Sequence, residues 1–371
     1  KNVRCDSLDP AFTLDNGVIE FQRDHFPNFH KLMRDLEVQL EETPISSELF
    51  LANGHYYKST GAIRYGCKST WEKAIESLKL TPIMYSYLSF FARVNFANQG
   101  AFHHRPVSDY LANDISGRWL KMLLMYAYSM SYKSIDDFPA EIGMPMLALS
   151  GLFTKWNRIN GGVYSYIEKI LSRFGGSIYC NAHIQEVSRD AGSVQIKLAN
   201  GEIKHFDKVV FATTPDQVLA LLSDPSESEI KRFKAWTSNE IKTVIHTDTS
   251  IYKHFGVSYF CEFDLFQIKG SGEYGYNAYL DRLCGLNNKT TTHYSLAYNL
   301  EQQIDPKKII DVQSHTTPNY NVEAIQYRQE VKETNGENNT YHAGAYLYDG
   351  LHEGAVTSGF EVSELLGGVN L

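Results

Sequence analysis

The sequence predicts a mixed α/β protein of two interleaved domains, and three observations carry that expectation. Apolar residues recur at helical spacing through most of residues 70–150. From Gly161 the grammar changes to a helix, short strands, a hairpin and a β-branched run. Near the C-terminus a strand, a glycine-punctuated loop and a helix return to the same style, so one domain is visited repeatedly and the other inserted between its pieces.

Residues 13–22 (TLDNGVIEFQ) read as a strand or extended stretch. Pro27 then opens a helix over residues 28–36, with Phe29, Leu32, Met33 and Leu36 at helical spacing. Further helices are predicted over 71–78, 82–96, 107–111, 117–130 and 144–153. The most apolar run, residues 81–96, is interrupted by Arg93 and falls short of the ~20 apolar residues that span a membrane. It is expected as a buried or substrate-domain helix, with weak association to a membrane or lipid surface left open.

After Gly161 an amphipathic helix over residues 163–174 meets the stop signal Gly175-Gly176. Strands are expected over 177–180 and 182–189. Residues 193–198 and 202–205 flank Asn200-Gly201, a strong hairpin turn. The run 208–212 (KVVFA) has the character of a buried parallel strand. Alternation over 236–300 predicts the sheet of the second domain. Residues 339–344 read as a strand, 346–354 as a loop, and 355–366 as a helix with Val356, Phe360, Val362 and Leu365 facing a core.

Composition narrows the function. A chain of 371 residues, 43% hydrophobic and 21% charged, is large enough for two packed cores. A net charge of −8 argues against nucleic acid as the main partner. The 24 tyrosines and 20 phenylalanines fit either a large aromatic core or a flat-walled pocket. Cys5, Cys67, Cys180, Cys261 and Cys284 are dispersed without metal-ligand spacing, and the first residues carry no apolar leader. Both observations point to reduced thiols in a cytoplasmic protein.

The segment most informative for chemistry runs from His342-Ala343-Gly344-Ala345-Tyr346 through Asp349-Gly350-Leu351-His352-Glu353-Gly354. Its helix start offers N–H groups and a positive dipole end to an anion or an electron-rich ring edge. A glycine-rich connection without a ligand explains it equally well on its own. Two other pieces accompany it: Gly161-Gly162 ahead of a helix, and Val210-Phe211-Ala212-Thr213-Thr214-Pro215, a strand ending in small residues where open α/β sheets gather ligands.

In order along the chain, Asp15-Asn16-Gly17-Val18-Ile19-Glu20-Phe21-Gln22, Asp137-Phe138-Pro139, the Gly161-Gly162 helix start, the 210–215 strand, Ile245-His246-Thr247-Asp248-Thr249 and Gly350-Leu351-His352-Glu353 resemble the flavin-containing amine oxidase superfamily, in its predicted NAD/FAD-binding subgroup. The resemblance implies a Rossmann-like FAD domain formed by 1–25, 157–235 and 322–371, and an inserted substrate domain of sheet and helices formed by 26–156 and 236–321. It places Gly344, Ala345, His352, Glu353 and Gly354 near the flavin and pyrophosphate, and Val187 on the adenine side through its backbone. Asn16 and Gly17 approach the flavin ring, while Asp15 anchors the loop. The sequence contains no G-x-G-x-x-G turn of a dinucleotide-binding unit, so the FAD domain is expected to be incomplete. Gly270-Ser271-Gly272 lacks the third glycine and the helix of a phosphate loop.

The implied activity is hydride transfer to FAD from a small or lipid-like substrate, by an amine oxidase or a desaturase-like enzyme. The alternative is a non-catalytic remnant of the fold that serves as a binding or scaffold module. No catalytic residue stands out, since in such chemistry the cofactor performs the hard step. Lys155 is expected to face solvent rather than a flavin, and His103-His104 have no partner at metal-ligand spacing, so no metal is expected. Asp136-Asp137 read as a cap or turn.

Overall fold

The computed structural model describes residues 2–4, 13–17, 19–149, 155–190, 192–286 and 289–368. The mixed α/β class is the class observed. Its largest element is a seven-stranded sheet with the order Ile309–Pro318, Ser238–His246, Ser295–Tyr298, Tyr274–Tyr279, Phe263–Gln267, Glu48–Phe50 and Tyr56–Lys58. Neighbours are antiparallel except where Leu265 and Phe266 run parallel to Leu49 and Phe50. Gly270 and Gly272, at φ +80° and +72°, form the hairpin turn between two of these strands, so that pair serves backbone geometry.

Smaller sheets stand beside it. Strand Trp156–Ile159 pairs with Glu20–Gln22 on one side and Leu40–Thr43 on the other. The expected hairpin forms, with Ser193–Leu198 between Ile184–Asp190 and Ile203–Phe206, and Gly201 at φ +86° in its turn. Strand Val209–Phe211 runs parallel to Thr340–His342, which brings the C-terminal segment beside the 208–212 run. That strand is parallel as expected but not buried throughout: Val210 is 40% exposed.

Helix Pro27–Asp35 places proline in its first turn and buries Phe29 and Met33. Phe26 supplies no side-chain cap. The cap comes instead from the other end of the chain, where the two oxygens of Glu353 accept the N–H groups of Asn28 (3.1 Å) and Phe29 (2.9 Å). A carboxylate at a helix N-terminus satisfies free donors and the dipole together.

Several expectations require correction. The helices expected over 71–78 and 82–96 are one helix, Thr70–Phe96, with Pro82 inside it. Thr81 and Pro82 are exposed, so water can take the carbonyl that proline leaves unbonded, and Thr81 Oγ1 donates to Ser77 O (2.9 Å). This helix is not buried as a whole, for Trp71, Leu78, Tyr85 and Phe96 are 73–90% exposed. The stretch 107–111 contributes only the short turn Val107–Asp109. Residues 177–180 form no strand, because no described strand lies alongside to take their amides. Helix His352–Leu365 buries Gly354, Ser358 and Val362, while Leu365 is exposed. The helix expected to 153 is described over Ala140–Leu149, and its remaining residues lie outside the described residues.

Among the described residues no helix is long and apolar enough to cross a membrane. Cys67, Cys180, Cys261 and Cys284 are free thiols, and Cys5 lies outside the described residues.

Candidate functional site

A cavity of about 650 Å³ opens where the smaller sheets and the C-terminal helix meet the large sheet. Its size suits a cofactor ring and a small ligand together. Strand Glu20–Gln22 and the preceding Asn16-Gly17 turn form one wall; Phe263, Tyr276 and Thr243 from the large sheet form another. Helix Ile115–Tyr128 contributes Tyr126, and residues 347–354 close the end.

Asn16 is 1% exposed, and its amide orientation is set by a chain of hydrogen bonds. Thr243 Oγ1 donates to Asn16 Oδ1 (3.0 Å) and lies 2.8 Å from His315 Nε2. The threonine proton is committed to Asn16, so His315 Nε2 carries a hydrogen and donates to Thr243. Asn16 Nδ2 then has no acceptor among the described residues. A buried donor without a partner costs about 1–3 kcal/mol, and an acceptor bound in the cavity relieves that cost.

The opposite polarity is present on the neighbouring strand. Glu20 is 6% exposed, and its Oε1 accepts the Tyr126 hydroxyl at 2.5 Å. Burial pushes its carboxyl up to about 7; the Tyr126 hydrogen bond opposes the shift and the nearby Glu262 adds to it.

The C-terminal loop is shaped by its own residues. Asp349 Oδ1 accepts the N–H groups of Leu351 (2.9 Å) and Gly354 (3.0 Å), so that helix start is already partly capped. A Cβ on Gly354 would lie 2.4 Å from Asp349 Oδ1, which accounts for glycine there through the cap itself. Gly350, at φ +79°, has Tyr128 and Tyr320 at 2.8 Å from the position of a Cβ. His352 packs against Phe29 (ring centroids 4.9 Å), and burial lowers its pKa to about 4, so it is neutral at physiological pH.

The residues singled out from sequence therefore divide. Asn16, Gly17, His352, Glu353 and Gly354 line one cavity. Both carboxylate oxygens of Glu353 are engaged by the helix they cap. Val187, Gly344 and Ala345 are absent from the cavity lining. Val187 is buried, its carbonyl accepting Ser223 N at 3.0 Å, and Gly344 N donates to Ser358 Oγ (2.9 Å). Asp15 anchors its loop by accepting the Val163 N–H (2.9 Å). Lys155 is exposed and pairs with Glu42 at 3.2 Å, away from the cavity. Asp136 sits in the turn Ser134–Asp137 and pairs with Lys121. Among the described residues no cluster could hold a metal, His103 and His104 included.

Sequence reasoning missed Glu20, Tyr126 and the Thr243–His315 support of Asn16. One signal was available: an acidic residue between Ile19 and Phe21 in an apolar stretch is an anomaly that burial makes meaningful.

No protein-family model matches the chain, and no curated protein matches it. Its fold is found among solved structures. A putrescine oxidase bound to putrescine superposes with a TM-score of 0.64 at 12% identity, over 99% of this chain and 90% of that one. A CLA-producing fatty acid isomerase from P. acnes matches with a TM-score of 0.65 at 14% identity, over 96% and 87% of the two chains. A cyclohexylamine oxidase from Brevibacterium oxydans gives 0.64 at 10% identity, over 96% and 88%. The chain thus has the fold of these oxidases and of the isomerase.

Proposed function

We propose that the protein is an FAD-dependent oxidoreductase acting on a small-molecule substrate in the 650 Å³ cavity. The observation that carries this reading is the buried, unpartnered Nδ2 of Asn16, a donor held in place by Thr243 and His315 inside that cavity. A flavin ring, rich in carbonyl and nitrogen acceptors, fits such a donor. The fold shared with putrescine and cyclohexylamine oxidases supports the same class.

On this reading Asn16 and Gly17 hold the ring's edge, and the neutral His352, packed on Phe29, keeps the adjoining wall apolar. A Cβ at Gly17 would meet nothing within 4 Å, leaving room at that point for the cofactor. Val187, Gly344 and Ala345 remain proposed contacts for the distant part of the cofactor. FAD supplies the hydride acceptor; the chain binds, orients and excludes water. Segments 1–25, 157–235 and 322–371 would form the cofactor side, and 26–156 with 236–321 the substrate side. A cytoplasmic setting accords with the free thiols.

The alternative, a non-catalytic binding or scaffold module, draws support from Asp349, which already caps the helix start where an anion would sit. The visible spectrum of the purified protein, before and after incubation with FAD, separates the two. Flavin bands that are released on denaturation, and weakened by Asn16→Ala, are the expected result. A folded, colourless protein that takes up no FAD overturns the enzyme reading.

A further inference from the structure

We infer that the outer face of helix Thr70–Phe96 is a docking surface for an anionic lipid bilayer, on which the protein lies without this helix spanning it.

A helix that is apolar all round is normally covered on every side. This one is apolar on both faces and covered on one. Its inner face buries Leu80 and Phe90 and packs on helices Ile115–Tyr128 and Ala140–Leu149. On its outer face Trp71, Ile75, Leu78, Pro82, Tyr85 and Phe96 are all exposed. Successive steps of four, three, four, three and eleven residues place them on one line. That line is about 38 Å long at about 1.5 Å per residue.

Charge selects the cover. Residues 60–98 hold the exposed cations Arg64, Lys68, Lys73, Lys79 and Arg93, against two acids, Glu72 and Glu76. Neither acid is free: Glu76 is buried and pairs with Lys79 (2.7 Å), and Glu72 accepts the N–H of Lys68 (2.8 Å). Asp114, which reaches the helix at the half-buried Ser86 (3.1 Å), also caps Gly117 (2.8 Å). A cationic stretch thus stands on a chain whose net charge is −8.

Anionic headgroups complement those cations, and the rings of Trp71 and Tyr85 are of the kind that settles at headgroup level. Lys73 and Arg93 can lay their stems along the apolar surface and keep their charges among the headgroups. A second copy is a poorer cover. It would bring the same cations with no free acid to meet them, Pro82 would lie in the seam, and Trp71 and Tyr85 are large for the knobs of paired helices. The helices beneath also line the cavity, through Leu123, Tyr126, Ile142 and Met146, so docking sets the cavity one helix away from the bilayer.

The test mixes the full chain with vesicles of phosphatidylcholine, alone or with about one-third phosphatidylglycerol, and follows co-sedimentation and tryptophan emission. Trp71 is the exposed one of the four tryptophans. Expected is binding to the anionic vesicles at least about tenfold tighter than to the neutral ones, weakened by salt. Bromine-labelled lipid should quench emission, and Trp71→Phe should lose that quenching. Leu78→Ser combined with Tyr85→Ser should weaken binding about tenfold or more and leave the urea midpoint unchanged, since both side chains are exposed in the free protein. Lys73→Glu combined with Arg93→Glu should abolish the preference for anionic vesicles. Folded wild type that binds neither vesicle, or both equally, overturns the proposal, as does quenching that Trp71→Phe leaves unchanged. A dimer that the double serine variant splits, without vesicle binding, gives the face to a second copy and overturns it too. Should a variant misfold, the wild-type comparison of the two vesicles still decides.

Discussion

Strand Tyr274–Tyr279 of the seven-stranded sheet is buried at every position, whereas helix Tyr164–Arg173 buries none of its residues. Both come from segments rich in apolar residues. In the sheet, neighbours on each side and packed layers enclose even acids such as Glu48 and Asp264, each 0% exposed. In the flank from 164 to 210, the helix is attached by one ring, Tyr166 edge-on to Phe29 at 5.8 Å, and otherwise through polar atoms: Lys169 Nζ donates to Leu36 O and Glu37 O, and Arg173 to Asp35 O. Its apolar stripe of Ile170, Leu171 and Phe174 faces outward, 38%, 41% and 52% exposed. Periodicity therefore states which residues share a face, but not which face will be covered.

The contrast extends to ionisation. Burial raises both Glu48 and Asp264 in the sheet, and their mutual repulsion keeps them from ionising together. Asp264 accepts the Tyr252 hydroxyl and the N–H groups of Glu48 and Cys261, which favour its charged form, while Lys58 at 3.2 Å opposes the upward shift of Glu48. At the parallel strand pair burial acts on a base instead and lowers His342 to about 4.

The largest effect is expected from a truncation in the sheet. Phe50→Ala removes a 1% exposed ring stacked on Phe266 at 4.7 Å, and should cost about 3–5 kcal/mol in urea unfolding. A loss below about 1 kcal/mol would mean that the sheet is no better packed than the flank.

The pH response comes next in size. The His342 pKa falls from an ordinary 6.5 to about 4 in the fold, so the unfolded chain takes up a proton first as pH drops. Stability from this group is complete above pH 6.5 and lost by about pH 4. His342→Phe should remove that loss, so the wild type weakens relative to the variant by about 3 kcal/mol at most across the window. Glu20 moves the other way. Raised to about 7 from 4.5, it contributes stability that is present below pH 4.5 and lost as pH rises through 7. Parallel pH curves for His342→Phe and wild type would contradict the buried neutral imidazole.

Glu353→Gln tests the long-range cap and should cost about 1 kcal/mol, since one charged acceptor at the helix start is lost. Smallest of all, Phe174→Ser should change stability by less than about 0.5 kcal/mol while reducing self-association. A loss comparable to that of Phe50→Ala would show that the flank is covered after all.

Much of the local structure was legible in the sequence. Pro27 with Phe29 and Met33 specified a helix, Asn200-Gly201 a hairpin, and the Val209–Phe211 run a parallel strand, because turn chemistry and periodicity act over a few residues. The cavity was legible in part, through Asn16, Gly17 and the 352–354 segment. Tertiary packing decided the rest: that Glu353 caps a helix more than 300 residues away, that Pro82 sits inside a continuous helix, that residues 177–180 join no described sheet, and that Glu20 lies buried against the Tyr126 hydroxyl. Capping partners, burial and the pairing of charge depend on groups distant in the chain, and local sequence carries no term for them.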